Sequence, residues 1–312
     1  MKKLLAALAL GTSLVGTAAL AEYPEKPVEF VVPFPPGDLE DLLTRIIADE
    51  FQDTYGVPAA VVNKPGGGGG PFPGAVSVAN APADGYTIGS FVIAVPVVGP
   101  NIGIPDLQPN PFDPLGIFLT YPFVVAASAN APYSTMEELA AHAADNDVLF
   151  GHFGERGIPR RHVIALTRQM GFEFSSEAAF DSLDCNTLAS GDADVIATTV
   201  QAIFPCLDDL KVLASATNER ISILPDVPTM GELAPELDLS TWNGLFVHKD
   251  TPADVRARIE EVAIRALESD AAKELAANTG ALIYWTPADE AAAQIQSDIE
   301  TLGVIDALVQ GN

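Results

Sequence analysis

Apolar residues recur in two rhythms along this chain. Residues 28–32, Val-Glu-Phe-Val-Val, form a nearly all-apolar run of strand length. After Pro33-Phe34-Pro35-Pro36-Gly37 the spacing changes to three and four. Leu39, Leu42, Leu43, Ile46, Ile47 and Phe51 then share one stripe, which predicts a helix over 38–51. The alternation continues. Strands are expected at 59–62, within 84–95, and at 123–127, 148–151, 193–198, 212–215 and 245–247. Helices are expected at 75–80, 135–144, 160–170, 180–190, 200–209, 253–268 and 287–302. Ser134 with Glu137 reads as a capping box, and Gly171 as a helix stop. Thr-Pro-Ala-Asp occurs at 251–254 and 286–289, and reads as two helix starts with Thr as N-cap. The Pro-rich stretch 99–116 reads as irregular and divides two strand–helix series. This pattern predicts an α/β architecture with mainly parallel sheets. Ligands in such folds sit at the carboxyl ends of strands, so the loops after 32, 151 and 198 are the places for a site.

The N-terminus adds an address. Met1-Lys2-Lys3, an apolar run from Leu4 and Ala19-Leu20-Ala21 read as a secretory signal peptide over 1–21, cleaved after Ala21. No later stretch is apolar enough to span a membrane, so a soluble, exported mature chain is expected. The charge is strongly negative, with 16 Lys+Arg against 42 Asp+Glu. That excludes nucleic acid and anionic membrane surfaces as natural partners. Cys185 and Cys206 are the two cysteines. In an oxidising compartment they can form a disulfide, or they can be two buried thiols.

Catalytic and metal motifs are missing. There is no GxSxG, no HExxH and no P-loop. The glycine run 66–70 is interrupted by Pro71, Phe72 and Pro73, so it reads as a turn and not a nucleotide cradle. His142, His152, His162 and His248 lack metal-ligand spacing. No cofactor, metal or enzymatic activity is therefore expected. Two loops carry chemistry instead. Phe34-Pro35-Pro36-Gly37 between a strand and a helix start is a recipe for an anion site. Asp38, Glu40 and Asp41 stand at its mouth. Asp38 and Asp41 can cap the helix, whereas Glu40 is expected in solvent. The second loop, Gly-His-Phe-Gly-Glu-Arg-Gly-Ile-Pro-Arg-Arg-His at 151–162, is basic. Arg160 and Arg161 are expected to pair with surface acids. Arg156 in the middle can do that or hold a carboxylate.

Six stretches in order complete a resemblance: Tyr-Pro-Glu-Lys-Pro-Val-Glu-Phe-Val-Val-Pro-Phe-Pro-Pro-Gly from Tyr23, then Asp-Leu-Leu-Thr-Arg, Val-Val-Asn-Lys-Pro-Gly, Ala-Asp-Gly-Tyr-Thr-Ile-Gly, Leu-Pro-Asp-Val-Pro-Thr-Met-Gly-Glu-Leu and Trp-Asn-Gly-Leu-Phe-Val. From about Tyr23 to its end the chain resembles the periplasmic solute-binding proteins of tripartite tricarboxylate transporters, the Bug proteins. The resemblance implies a type II periplasmic binding protein: two α/β lobes, two crossover strands and a ligand in the cleft. The crossings fall near 121–124 and 240–244. Lobe one is then 22–122 plus 240–312, and lobe two is 123–239.

The resemblance also implies a site. Its first loop maps to Phe34, Pro36, Gly37 and Asp38, with the family's aspartate at Asp41. The second maps to His152, Phe153, Gly154 and Arg156. A third loop falls at Phe180 and Asp181, a strand-end position at Thr198, and the cleft tryptophan at Trp242. Asp38 stands where a small residue is usual, and Asp181 where a lysine is usual. The expected ligand is therefore a small carboxylated solute that also carries a donor or a positive end, as a zwitterion does. The expected protein is a monomer that hands its solute to transmembrane permease subunits. An extracytoplasmic sensor partner and an enzyme on the same scaffold are the alternative roles.

Overall fold

Short apolar runs buried on both faces, each followed by an amphipathic stripe, make strands that helices can cover. The computed structural model describes residues 22–66 and 70–311. The signal peptide expected over 1–21 lies outside the described residues, as do 67–69 of the glycine run. The first series is β1 (Val28–Val32), α1 (Leu39–Tyr55), β2 (Ala59–Asn63), α2 (Phe72–Ala79), β3 (Thr87–Val92), α3 (Ala94–Val98) and β4 (Phe112–Thr120). The second is β5 (Phe123–Ser128), α4 (Met136–Ala143), β6 (Leu149–His152), α5 (Ile158–Gln169), β7 (Ser176–Ala179), α6 (Cys185–Ser190), β8 (Val195–Thr199), α7 (Val200–Ile203) and β9 (Leu210–Ser215). The chain closes with α8 (Met230–Leu233), β10 (Trp242–His248), α9 (Ala253–Leu267), α10 (Asp270–Thr279), β11 (Leu282–Pro287) and α11 (Ala288–Gln310).

The strands form two sheets, ordered β11-β4-β10-β3-β1-β2 and β7-β6-β8-β5-β9. Both are mixed, not mainly parallel as expected. β1 pairs parallel with β2 and β3, and β6 with β7 and β8. β10 runs antiparallel to β3 and β4, as does β5 to β8 and β9. β5 and β10 are the strands by which the chain enters the second sheet and returns to the first, and β11 runs antiparallel to β4 at the first sheet's edge. The chain leaves the first sheet at Tyr121-Pro122, between β4 and β5, and returns to it at β10.

Other departures have local causes. The stretch expected to be irregular holds β4, a nine-residue strand that contains Pro114. Proline is tolerated there because the register against β10 shifts between Leu245 and Phe246, beside Pro114. Gly116 must be glycine, since a Cβ would come within 2.4 Å of the Trp285 ring. The helix expected over 180–190 begins only at Cys185, and the preceding segment is the edge strand β7. α10 and β11 were not expected. In both Thr-Pro-Ala-Asp repeats the residue before the helix is Pro252 or Pro287, and neither makes a side-chain cap. The expected capping box at Ser134 and Glu137 is replaced by an N-cap one residue later: Thr135 accepts from the Glu138 N–H, while Glu138 accepts from the N–H of Ser134, before the cap.

The long C-terminal helix joins the two halves. Arg161 of α5 pairs with Asp306 of α11 at 2.6 Å. Arg168 of α5 donates to the carbonyls of Leu308 and Val309 at 2.7 Å each, where a cation suits a helix C-terminus. Midway along α11, buried Asp298 accepts the indole N–H of Trp242 at 2.6 Å. Burial pushes the Asp298 carboxyl up to about 7, against the opposing pull of that hydrogen bond. The neutral acid is therefore the form the fold favours. Its contribution is complete below the ordinary value of 3.8 and is lost as the pH rises through about 7.

Cys185 and Cys206 are joined in a disulfide, with Cα atoms 5.9 Å apart. Of the two states open from sequence, the bonded one is present. It ties α6 to the turn after α7 across a separation of 21 residues.

Two outcomes are expected. Replacing both cysteines by serine should lower the unfolding free energy by about 3 kcal/mol in a denaturant titration, because a loop of this length is released in the unfolded chain. An unmoved midpoint would show that the link constrains nothing. Asp298→Asn keeps an acceptor for the indole but cannot ionise. Its melting temperature should fall less than that of the wild type between about pH 5.5 and about pH 8.5. Parallel pH profiles would assign the slope to other groups.

Candidate functional site

The loop after β1 is held by one carboxylate. Gly37 takes φ +100°, a conformation that disfavours residues with a side chain. Its N–H donates to Asp41 Oδ2 at 2.8 Å. Arg45 grips both Asp41 oxygens, Nε to Oδ2 at 3.0 Å and Nη2 to Oδ1 at 2.9 Å. Asn63, at the end of β2, donates to Asp41 Oδ1 at 2.8 Å and to the Phe34 carbonyl at 3.0 Å. Burial works to raise the Asp41 pKa, but Arg45, Asn63 and the Gly37 amide together hold it below the ordinary value. Asp41 is thus a buried anion with four donors, and it shapes the turn. Expected to cap the helix, Asp41 instead bonds the Gly37 N–H, one residue before the N-cap Asp38.

Asp38 behaves differently. Its carbonyl accepts the first helical bond from the Leu42 N–H, but its side chain makes no cap, contrary to expectation. It is exposed, beside Phe34, which is half-buried, and Pro36 and Gly37, which are exposed. Partial burial and the neighbouring Asp41 raise its pKa. The first-turn N–H groups of α1 have no intrahelical acceptor, so the mouth of this loop presents donors together with a carboxylate.

Glu40 overturns its expectation outright. It is 3% exposed, not solvated. Tyr121, in the crossover, donates to Glu40 Oε2 at 2.9 Å. Burial lifts the carboxyl to about 7, against hydrogen bonds from its own backbone and from Tyr121. The spacing held the signal: residue 40 is three, four and seven positions before buried Leu43, Thr44 and Ile47.

The loop after β6 carries the counterpart. His152 is buried, and its Nδ1 accepts from the Gly154 N–H at 3.0 Å. Burial and then Arg160 lower its pKa, which suits a neutral ring with Nδ1 as acceptor. Gly154 takes φ +138°, and its carbonyl accepts from the Gly157 N–H at 3.1 Å. Phe153, 49% exposed, points outward from this turn. Arg160 pairs with Glu177 at 2.6 Å and Arg161 with Asp306, as expected for those two. Arg156 is exposed and has no acidic partner among the described residues. The eight other arginines each have one.

The remaining positions divide. The Phe180 N–H donates to the His152 carbonyl at 2.9 Å, which stitches the third loop to the second. Phe180 is half-buried there, and Asp181 beside it is exposed. Thr198 and Trp242 have no exposed surface. Thr198 donates to the Leu183 carbonyl at 2.6 Å, and Trp242 to Asp298. Both side chains are therefore committed to the interior, and in this conformation they cannot touch a solute. A separate cavity of about 660 Å³ lies between the loop after β9 and the α10–β11 segment, lined by Thr120, Arg220, Tyr284 and Gln294 among others. It contains none of the residues of the loops after β1, β6 and β7 described above.

Comparison with known proteins agrees with this geometry. The family model described as "Tripartite tricarboxylate transporter family receptor" matches residues 43–309. Protein BugT of Bordetella pertussis is 27% identical over 96% of this chain and 95% of its own. A solute-binding protein of this kind from Polaromonas superposes with a TM-score of 0.77 at 24% identity, covering 93% of this chain and all of that one. MatC of Rhodopseudomonas palustris, solved with bound malate, gives 0.70 at 25% identity over 91% of this chain and all of its own. The two sheets and two crossings are thus the two-lobed, type II fold of periplasmic binding proteins. This chain belongs to the receptor family of the tripartite tricarboxylate transporters, the Bug proteins.

Proposed function

We propose that this chain is a periplasmic receptor that captures a small carboxylated solute, zwitterionic in character, and delivers it to transmembrane permease subunits. Export by a cleaved leader over 1–21 would place it in the periplasm as a monomer. The lobes would be 22–122 with 240–312, and 123–239. Closure would bring the loop after β1 and the loop after β6 onto one ligand, a population shift driven by contacts that exist only when both lobes are engaged.

The observation that carries this reading is Arg156. In a chain of formal charge −26, acids are abundant, yet among the described residues this guanidinium pairs with none of them. A fork of fixed donors in a strand-end loop suits a carboxylate. Arg156 and the loop-one amides would hold the acid group. Asp38 and Asp181, both exposed, would take the donor or positive end. Malate bound to a 25%-identical relative supports the carboxylate half of this division. No role in it calls for turnover of the solute.

Thermal-shift screening of the mature chain against mono-, di- and tricarboxylates, amino acids and aromatic acids tests the reading. A true ligand should raise the transition by mass action, and its uncharged amide should not. Arg156→Ala should weaken that ligand by more than about tenfold. Asp181→Asn should weaken only ligands with a donor or a cation. Undiminished binding of a simple diacid by Arg156→Ala would remove Arg156 from the site.

A further inference from the structure

Glu40 is a second buried carboxyl beside the anion loop, three residues from Gly37. Its surroundings are unusually poor in compensation. No lysine or arginine pairs with it among the described residues. Arg45, on the same helix, is taken up by Asp41 and Asn63. The charges that face it are Asp38 and Asp41, both negative. From the crossover, Tyr121 supplies its one side-chain donor and lies 3.5 Å from Asn243 Oδ1. Asn243 Nδ2 donates to Ser90 Oγ at 2.7 Å, and Ser90 meets Thr44 Oγ1 at 2.8 Å. Thr44 returns the chain to α1 by bonding the Glu40 carbonyl. Each hydroxyl has one proton, so the order runs from Asn243 through Ser90 and Thr44 to Glu40. The start of α1, the central strand β3 and both crossings thus meet in one buried polar cluster, which reaches Glu40 at its main-chain carbonyl through Thr44 and at its carboxyl through Tyr121.

We propose that Glu40 couples solute capture to a proton: an anionic solute held at the loop-one amides is taken up together with a proton on the Glu40 carboxyl. The inference rests on the carboxylate reading above. A second negative charge beside a buried, uncompensated carboxylate favours its neutral form. Above about pH 7, where Glu40 is in part ionised in the free protein, binding must draw a proton from solution. Affinity for an acid therefore falls as the pH rises. Tyr121 makes the coupling felt at the crossing, because the hydroxyl that steadies the Glu40 anion sits between the two sheets.

Two other groups near the loops could imitate this. Asp38 has the same sign, and His152 titrates below its ordinary 6.5. Variants and the pH window separate them. Titration calorimetry with malate, adipate and glutamate, at about pH 6.5 and about pH 8.5, should show about tenfold weaker binding at the higher pH, equivalent to about one unit of pKa difference between free and bound states. Near pH 7.5, buffers of different ionisation heat should reveal net proton uptake. Glu40→Gln should bind equally at both pH values with no uptake, while Asp38→Asn should keep the wild-type slope. Tyr121→Phe, which removes the donor, should move the midpoint of the pH dependence upward, and serves in place of Glu40→Gln if that variant does not fold. Equal affinity of the wild type at both pH values, or a slope that survives Glu40→Gln, overturns the coupling alone. Failure of all three acids to bind at either pH overturns the carboxylate reading and this inference together.

Discussion

A carboxylate taken out of water must be answered by donors or by a proton, and this fold is arranged around three such groups. Asp41 is answered by a guanidinium, an amide side chain and a backbone N–H, and stays an anion. Glu40 and Asp298 each have one side-chain donor, and burial pushes both to about 7. Those two donors, Tyr121 and Trp242, stand where the chain passes between the sheets. The strand-end loop, the crossings and the C-terminal helix are thus located by how negative charge is settled in the interior.

The contacts that hold the crossings belong to the first sheet and its helices, Tyr121 to Glu40 of α1 and Trp242 to Asp298 of α11. α5 meets α11 through an ion pair and helix-end hydrogen bonds, and both helices bury apolar residues in the same core.

Scarcity of cations gives the surface its meaning. With acids in large excess, an arginine finds a partner almost wherever it emerges, and eight of the nine do. Arg156 stands exposed in the turn between Gly154 and Gly157, before α5 begins, and pairs with no acid among the described residues. The same excess makes a guanidinium without an acidic partner conspicuous as a place for an anion to bind.

Much was legible in the residues alone. The change of apolar spacing at Gly37 located β1, the loop and α1, because a strand buried on both faces and an amphipathic helix leave different periods. The ordered motifs carried the family, and with it two lobes and two crossings. The pairing of Arg160 and Arg161 with acids followed from composition. Local pattern failed where partners distant in sequence decide. β4 holds a proline that only a register shift against β10 permits. β7 is an edge strand whose place depends on β6. Whether Cys185 and Cys206 bond depended on their Cα atoms approaching to 5.9 Å. Thr198 and Trp242 were given to the site by motif position and to the interior by burial. Glu40 is the sharpest case. Its place on the core stripe was written in the spacing, but the tyrosine 81 residues away that receives it there is a fact of tertiary structure. Sequence sets which residues are available and on which face of an element they lie. Only packing decides which of them lose water, and loss of water is what sets their charge.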